Sequence, residues 1–289
     1  MRIATRGSKL AITQARWVAD LLGGAELVEA SSDGEPGDKS RFVRGVERAL
    51  LTGEAEIGVH SAKDLPTEMP EGLEIAAVPA REDPADVWIG AGDSLEDAPE
   101  GARVGTASLR RRAQLLATRP DLRVEELHGN VDTRLRKLAE GELDAIVLAA
   151  AGLRRLGREA EIGFSLPLDR VVPAGGQGAL ALQVRADDEE SGDAAAAVND
   201  LPAMRELTAE RTVVGLLAAS CATPLGVHAR VEGEALTVDA FVGLPDGSEW
   251  LRDRIEGRAE EPTLSGAELV QRLVGAGARE LLDRAEEMG

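Results

Sequence analysis

Apolar positions along the chain keep two rhythms. Short apolar runs read as buried strands, and stretches with apolar residues three and four apart read as helices. The first run gives a strand at Arg2–Thr5 and a helix at Leu10–Leu22, with Ile12, Ala15, Val18 and Leu22 at helical spacing and Ser8 as N-cap. A strand at Leu27–Ala30, a polar loop at Ser31–Ser40, a helix at Arg41–Leu51 and strands at Ala55–Val59 and Leu73–Val78 follow. Arg81-Glu82-Asp83-Pro84 then interrupts the periodicity and reads as a linker. Beyond it come strands near Asp86–Gly90, Arg103–Gly105, Leu122–Leu127 and Asp144–Ala149, with helices near Leu109–Thr118, Val131–Glu140 and Ala151–Leu156. Val171–Gly178 is a flexible return into a strand at Ala179–Arg185, and Asp187–Asp193 is an acidic loop.

The pattern changes after residue 200. A helix at Ala203–Ala219 precedes three alternating strands, Val227–Val231, Leu236–Val242 and Trp250–Ile255, and a closing helix runs from about Ser265 to Glu287. Repeated βα units predict mainly parallel sheets with ligands at the strand C-termini. The expected fold class is therefore α/β. Two α/β domains that resemble periplasmic binding proteins would face a cleft, and a small C-terminal α+β domain would follow. The expected boundaries are 1–82 with 176–199, then 83–175, then 200–289.

Composition narrows the class. At 289 residues and 43% hydrophobic, the chain is long enough for two or three packed domains. No apolar run approaches the roughly 20 residues that cross a bilayer. The first residues, Met1–Arg6, read as a strand and not as a signal peptide, so a cytoplasmic protein with no membrane partner is expected. A single cysteine excludes an internal disulfide. His60, His128 and His228 are too scattered for a metal site, and none is expected. The net charge of −19 argues against nucleic-acid binding. Such an acidic, lysine-poor surface suits a salty, halophilic cytoplasm, where screening relieves self-repulsion.

Against that acidity, Arg103–Lys137 carries nine Lys/Arg and four Asp/Glu. Val104–Arg112 reads as strand, small-residue turn and helix start, which aims backbone N–H groups and the helix dipole at one spot. Arginines just inside the helix add forks for carboxylates or phosphates. His128-Gly129-Asn130-Val131-Asp132-Thr133-Arg134 repeats the arrangement. Two such sites imply a large polyanionic ligand. The competing reading is surface arginines on two ordinary helices.

Six collinear stretches then carry a resemblance: IATRGSKLA (Ile3–Ala11), HSAKDLPTEMP (His60–Pro70), GTASLRRRAQL (Gly105–Leu115), HGNVDTRLRKL (His128–Leu138), LDAIVLAAAGLRRLG (Leu143–Gly157) and PAGGQGALALQVR (Pro173–Arg185). In this order they resemble the porphobilinogen deaminases (hydroxymethylbilane synthases) over nearly the whole chain. The resemblance implies a monomeric, three-domain transferase. It would join four molecules of porphobilinogen into linear hydroxymethylbilane, releasing ammonia, on a dipyrromethane cofactor attached to a cysteine. It puts the acid and cation-stabilising role on Asp64 and the attachment on Cys221. It assigns carboxylate binding to Arg6, Ser8, Lys63, Ser108, Arg110 and Arg111 for the cofactor, and to Arg134, Arg155, His128 and Gly129 for the substrate. Gln177 is read as a hinge residue. The chemistry agrees, because each porphobilinogen carries two carboxylates and a growing chain needs many cations.

The chain departs from the family pattern in two places. Ala219-Ser220 and Ala222 flank the cysteine, where Gly-Gly and Gln are usual, and His128 stands where arginine is usual. Two alternatives remain at this point: a non-enzymatic anion-binding protein on the same two-domain cleft, and a degenerate homologue that has lost cofactor assembly.

Overall fold

The computed structural model describes residues 1–31, 41–219 and 223–288. Most of the polar loop and the segment Ser220-Cys221-Ala222 lie outside the described residues. The first half of the chain runs β1 (Arg2–Thr5), α1 (Lys9–Leu21), β2 (Glu26–Glu29), α2 (Arg41–Leu51), β3 (Ile57–Ser61), a 3-10 turn at Ala62–Asp64 and β4 (Leu73–Ala77). Next come β5 (Asp86–Gly90), β6 (Arg103–Gly105), α3 (Leu109–Thr118), β7 (Arg123–Glu125), α4 (Val131–Ala139), β8 (Ala145–Ala149), α5 (Ala150–Arg155) and β9 (Phe164–Ser165). The chain closes with β10 (Leu180–Arg185), α6 (Glu189–Ala196), α7 (Leu201–Leu216), β11 (Leu225–Glu232), β12 (Ala235–Gly243), β13 (Trp250–Arg258), α8 (Pro262–Gly275) and α9 (Ala278–Glu287).

These elements form three sheets. The first has the order β2-β1-β3-β10-β4 and the second β7-β6-β8-β5-β9. The two orders match once the reversed strand of each sheet, β10 and β5, is counted last in that sheet. In each, the first strand pairs in parallel with its neighbours. In each, one strand runs against both of its partners: β10 between β3 and β4, and β5 between β8 and β9. Four strands of each sheet thus share a direction, and the expected parallel character holds apart from the reversed strand. Each reversed strand is the first one reached after the chain crosses over from the other sheet, through the segments 78–85 and 166–179. The third sheet is the antiparallel meander β11-β12-β13, backed by α7, α8 and α9.

Local chemistry explains most boundaries. Ser8, Ser108, Asn130 and Asp200 each accept a main-chain N–H and cap α1, α3, α4 and α7. Two expectations are corrected. The acidic stretch is a helix, α6, because Asp188 caps it by accepting from Ser191 N and Ala195 buries against the first sheet's core. The closing helix is broken in two at Gly277, whose φ of 97° no regular helix contains. Strand β9, only two residues long, carries no periodic signal.

The cores lie on the sheet faces. Ile3, Ile57, Val59, Leu180 and Leu182 cover the first sheet, and Trp88, Val104, Ala145 and Val147 the second. Val227, Val238, Leu269 and Leu273 fill the third domain. Each large aliphatic side chain removed from water contributes roughly 1.5–3 kcal/mol. Helix α7 ties the parts together. Its fully buried Glu210 receives Arg81 from one crossover (2.8 and 3.1 Å), Gly176 N from the other (2.6 Å) and Ala229 N from β11 (2.7 Å).

Candidate active site

The residues singled out by sequence stand just past the C-terminal ends of same-direction strands. Arg6 and Ser8 follow β1, and Lys63 and Asp64 follow β3. Ser108, Arg110 and Arg111 follow β6, His128, Gly129 and Arg134 follow β7, and Arg155 lies in α5 after β8. Strand ends of this kind collect helix N-termini and free N–H groups, which suit anions. Cys221 lies outside the described residues.

Asp64 closes the 3-10 turn after β3 and is exposed; Arg6 Nη1 lies 3.7 Å from its Oδ2. The preceding residue, Lys63, reaches Gln177 Oε1 at 3.4 Å. Burial first, and then the nearby Arg111, lower the Lys63 ammonium to about 8, against the pull of Asp64 and Asp86.

The second domain supplies a buried cluster. Arg110 donates to Asp86 Oδ2 (2.7 Å) and to Val172 O (2.8 Å). Arg111 donates to Asp86 Oδ1 through Nη2 (2.7 Å) and Nε (3.0 Å), and to Val147 O (3.0 Å). Asp86 is fully buried. Burial pushes its carboxyl up, but Arg110 and Arg111 outweigh that and hold it well below the usual carboxylate range. Gln177, 1% exposed, completes the group by donating to Asp86 Oδ1 (2.9 Å) and Pro84 O (2.7 Å). One side chain on the returning crossover thus bridges the lysine of the first domain and the Asp86 pair of the second. Among the described residues, Arg110 Nε is buried with no hydrogen-bond partner.

Arg134 is held by Gly129, whose carbonyl accepts from Arg134 Nε at 2.8 Å. Gly129 has φ 116°, and a Cβ there would meet Thr133 Cγ2 at 3.0 Å, so the turn requires glycine. Burial, and then Arg111, lower the Arg134 guanidinium. Arg155 donates to Gly178 O (2.7 Å), and burial lowers it to about 10 against the pull of Glu82. Ser8 and Ser108 accept backbone N–H groups as caps, which leaves each hydroxyl proton as a donor.

The structure therefore brings Arg6 to Asp64, Lys63 within electrostatic range of Arg110 and Arg111, and Arg134 within range of Arg111. It does not bring His128 to them: His128 is exposed and lies 3.2 Å from exposed Glu126. Sequence reasoning missed Asp86, Arg81 and Glu210. The available signal for Asp86 was a charge at the head of an otherwise apolar strand, DVWIG.

Comparisons with known proteins agree with one another. The family described as porphobilinogen deaminase, dipyromethane cofactor binding domain, matches residues 1–193, and the C-terminal domain of the same family matches residues 204–275. Porphobilinogen deaminase of Brevibacillus brevis is 43% identical, covering 97% of this chain and 96% of that protein. That of Syntrophus aciditrophicus is 42% identical, covering 99% of each. Among solved structures, the BvgS periplasmic VFT2 domain of Bordetella pertussis is 18% identical with a TM-score of 0.40, covering 68% of this chain and 86% of that one. That superposition is loose, and the sheet order above stands without it.

Proposed function

The chain belongs to the porphobilinogen deaminase family, and from that membership we propose how its residues divide the work. The protein is a hydroxymethylbilane synthase, a transferase of tetrapyrrole biosynthesis that joins four porphobilinogen molecules head to tail with release of ammonia. Its cofactor is dipyrromethane. The names of the relatives favour this enzyme over a non-catalytic anion-binding protein.

Asp64 is the catalytic group. It keeps the substrate amine protonated, so that the C–N bond breaks with neutral ammonia leaving. Its carboxylate then faces the positive charge left on the substrate methylene and ring. Arg6 orients that carboxylate from 3.7 Å. When bound, dipyrromethane supplies the pyrrole carbon to which the first substrate unit is joined.

The residues present fit such a ligand. Arg111 lowers the proton affinity of both Lys63 and Arg134, and a site crowded with like charge is relieved by an anion. Arg110 Nε, buried without a partner among the described residues, is a donor in want of an acceptor. Arg6, Ser8, Lys63, Ser108, Arg110 and Arg111 would hold the cofactor carboxylates, and Arg134, Arg155, Gly129 and His128 those of the substrate. Cys221 is the attachment residue. The domain division 1–82 with 176–199, 83–175 and 200–289 belongs to the same reading. So do a monomer in a cytoplasm of high salt and a site that needs neither metal nor nucleic acid. Among the described residues no helix is long and apolar enough to cross a membrane.

The observation that carries the assignment is the exposed Asp64 beside Arg6, at the strand ends that face the cationic cluster. Asp64→Asn is expected to abolish hydroxymethylbilane formation while leaving the circular dichroism spectrum and porphobilinogen binding unchanged. Near-normal product from that variant refutes the role. The intact mass of the denatured protein tests the attachment: two linked pyrrole units of excess mass should be present, and absent in Cys221→Ala.

A further inference from the structure

Helix α7 reaches the loop of Asp64 through a side chain that the function above does not use. Arg211 donates to three successive carbonyls directly after the catalytic turn: Nη1 to Leu65 O (3.3 Å), and Nη2 to Pro66 O (2.7 Å) and Thr67 O (3.1 Å). The backbone from Leu65 to Gly72 belongs to no helix or strand, so sheet pairing does not fix it. Pro66 also has no N–H to offer a neighbour.

Arg211 is half-buried, and burial lowers its pKa with no acid to oppose it. Among the described residues no carboxylate pairs with it. A cation taken from water and given only carbonyls is a costly arrangement, and an ordinary ion-pair role does not account for it. The helix that carries it is firmly anchored. Its neighbour Glu210 holds both crossovers and β11, and Glu206 accepts from Arg81 (3.3 Å) and Val231 N (3.0 Å).

We propose that Arg211 is a positioning residue for Asp64: it clamps residues 65–67 to α7 and so fixes where the carboxylate stands relative to Arg6 and the substrate amine. The proposal rests on the catalytic role given to Asp64 above. Arg211 itself touches neither Asp64 nor the reacting atoms. Its effect runs through the backbone, where a displacement of about 1 Å at the chemistry can cost on the order of a hundredfold in rate.

The test uses the holoenzyme, with Arg211→Ala and Arg211→Lys measured for kcat, KM and thermal melting. Expected is a fall in kcat of about ten- to a hundredfold in Arg211→Ala, with KM for porphobilinogen within about twofold. Arg211→Lys should recover part of the rate, because an ammonium reaches these carbonyls without the guanidinium fork. A plain structural staple would lower the melting temperature and leave kcat per folded molecule unchanged, and that result overturns the proposal. If Arg211→Ala does not fold, Arg211→Lys is judged by the same criterion. Asp64→Asn separates the two readings. A wild-type rate there sinks the catalytic assignment, whereas its loss beside an unaffected Arg211→Ala sinks only the positioning role.

Discussion

Replacing Asp86 by asparagine keeps the shape of a fully buried side chain and removes its charge. Arg110 Nη1 and Arg111 Nη2 each lie 2.7 Å from its oxygens, and Gln177 Nε2 lies 2.9 Å away. Unit charges 4 Å apart attract by about 4 kcal/mol at an effective dielectric near 20, so the two pairs give roughly 8 kcal/mol gross. Desolvation of the three groups takes back several kcal/mol of that. What the variant loses is larger than the net worth of the pairs, because two guanidiniums stay buried without a counter-charge and meet an amide N–H₂. Measurements on broken buried pairs put the loss at about 3–5 kcal/mol. At about 2–4 °C per kcal/mol, the melting temperature should fall by roughly 6–20 °C. Near-ultraviolet dichroism is the assay. Trp88, two positions along β5, is fully buried and stacks on Phe164 with ring centroids 5.8 Å apart, so it reports on this sheet. Adding Arg111→Met to Asp86→Asn should restore part of the loss by removing one orphaned cation. A single variant that melts within about 2 °C of the wild type, or a double variant that melts lower than the single one, would refute the reasoning.

Three further outcomes are open to measurement. The Lys63 ammonium loses its proton at about 8, so KM for porphobilinogen should rise as pH increases through that value, and Lys63→Met should flatten the limb; a wild-type KM constant from pH 7 to 9.5 contradicts this. Burial raises the Glu210 carboxyl, but Arg81 and His228 bring it from 4.5 down to about 2. Its folded-state pKa is depressed, so its stabilisation is present above about 4.5 and fades as pH falls toward 2. Urea midpoints of wild type and Glu210→Gln should converge over that interval, and a gap that does not narrow argues otherwise. With a net charge of −19, the melting temperature should climb as potassium chloride is added to dilute buffer; full stability without salt counts against that.

Much of this architecture is readable because its causes are local. The capping serine, small-residue turn and arginine face of Leu109–Thr118 sit within one stretch, and the helix has the bounds its pattern implies. The same holds for Asp86–Gly90 and Arg103–Gly105. The loops that bear Arg6, Asp64 and Arg134 are legible for the same reason, as polar breaks after apolar runs. What is not legible is joined through space. Asp86 meets Arg111 across 25 positions and Gln177 across 91, and its neighbours Arg81–Pro84 read as solvated linker because nothing nearby in sequence shows what they bind. Arg81 meets Glu210 across 129 positions. The acidic run that forms α6 looks like a loop until its cap and its one buried face are seen together.

The late arrival of β10 also has a meaning for synthesis. The second sheet is built from one continuous stretch, from Asp86 in β5 to Ser165 in β9. The first needs Leu180–Arg185 between β3 and β4. A ribosome adding roughly 5–20 residues per second releases β1 to β4 early, yet two of their edges face an empty slot until β10 emerges. Open strand edges of that kind invite pairing with other chains. The sheet whose strand ends bear Asp64 is thus translated first and completed last, and it spends the interval as the part of the nascent chain most in need of protection.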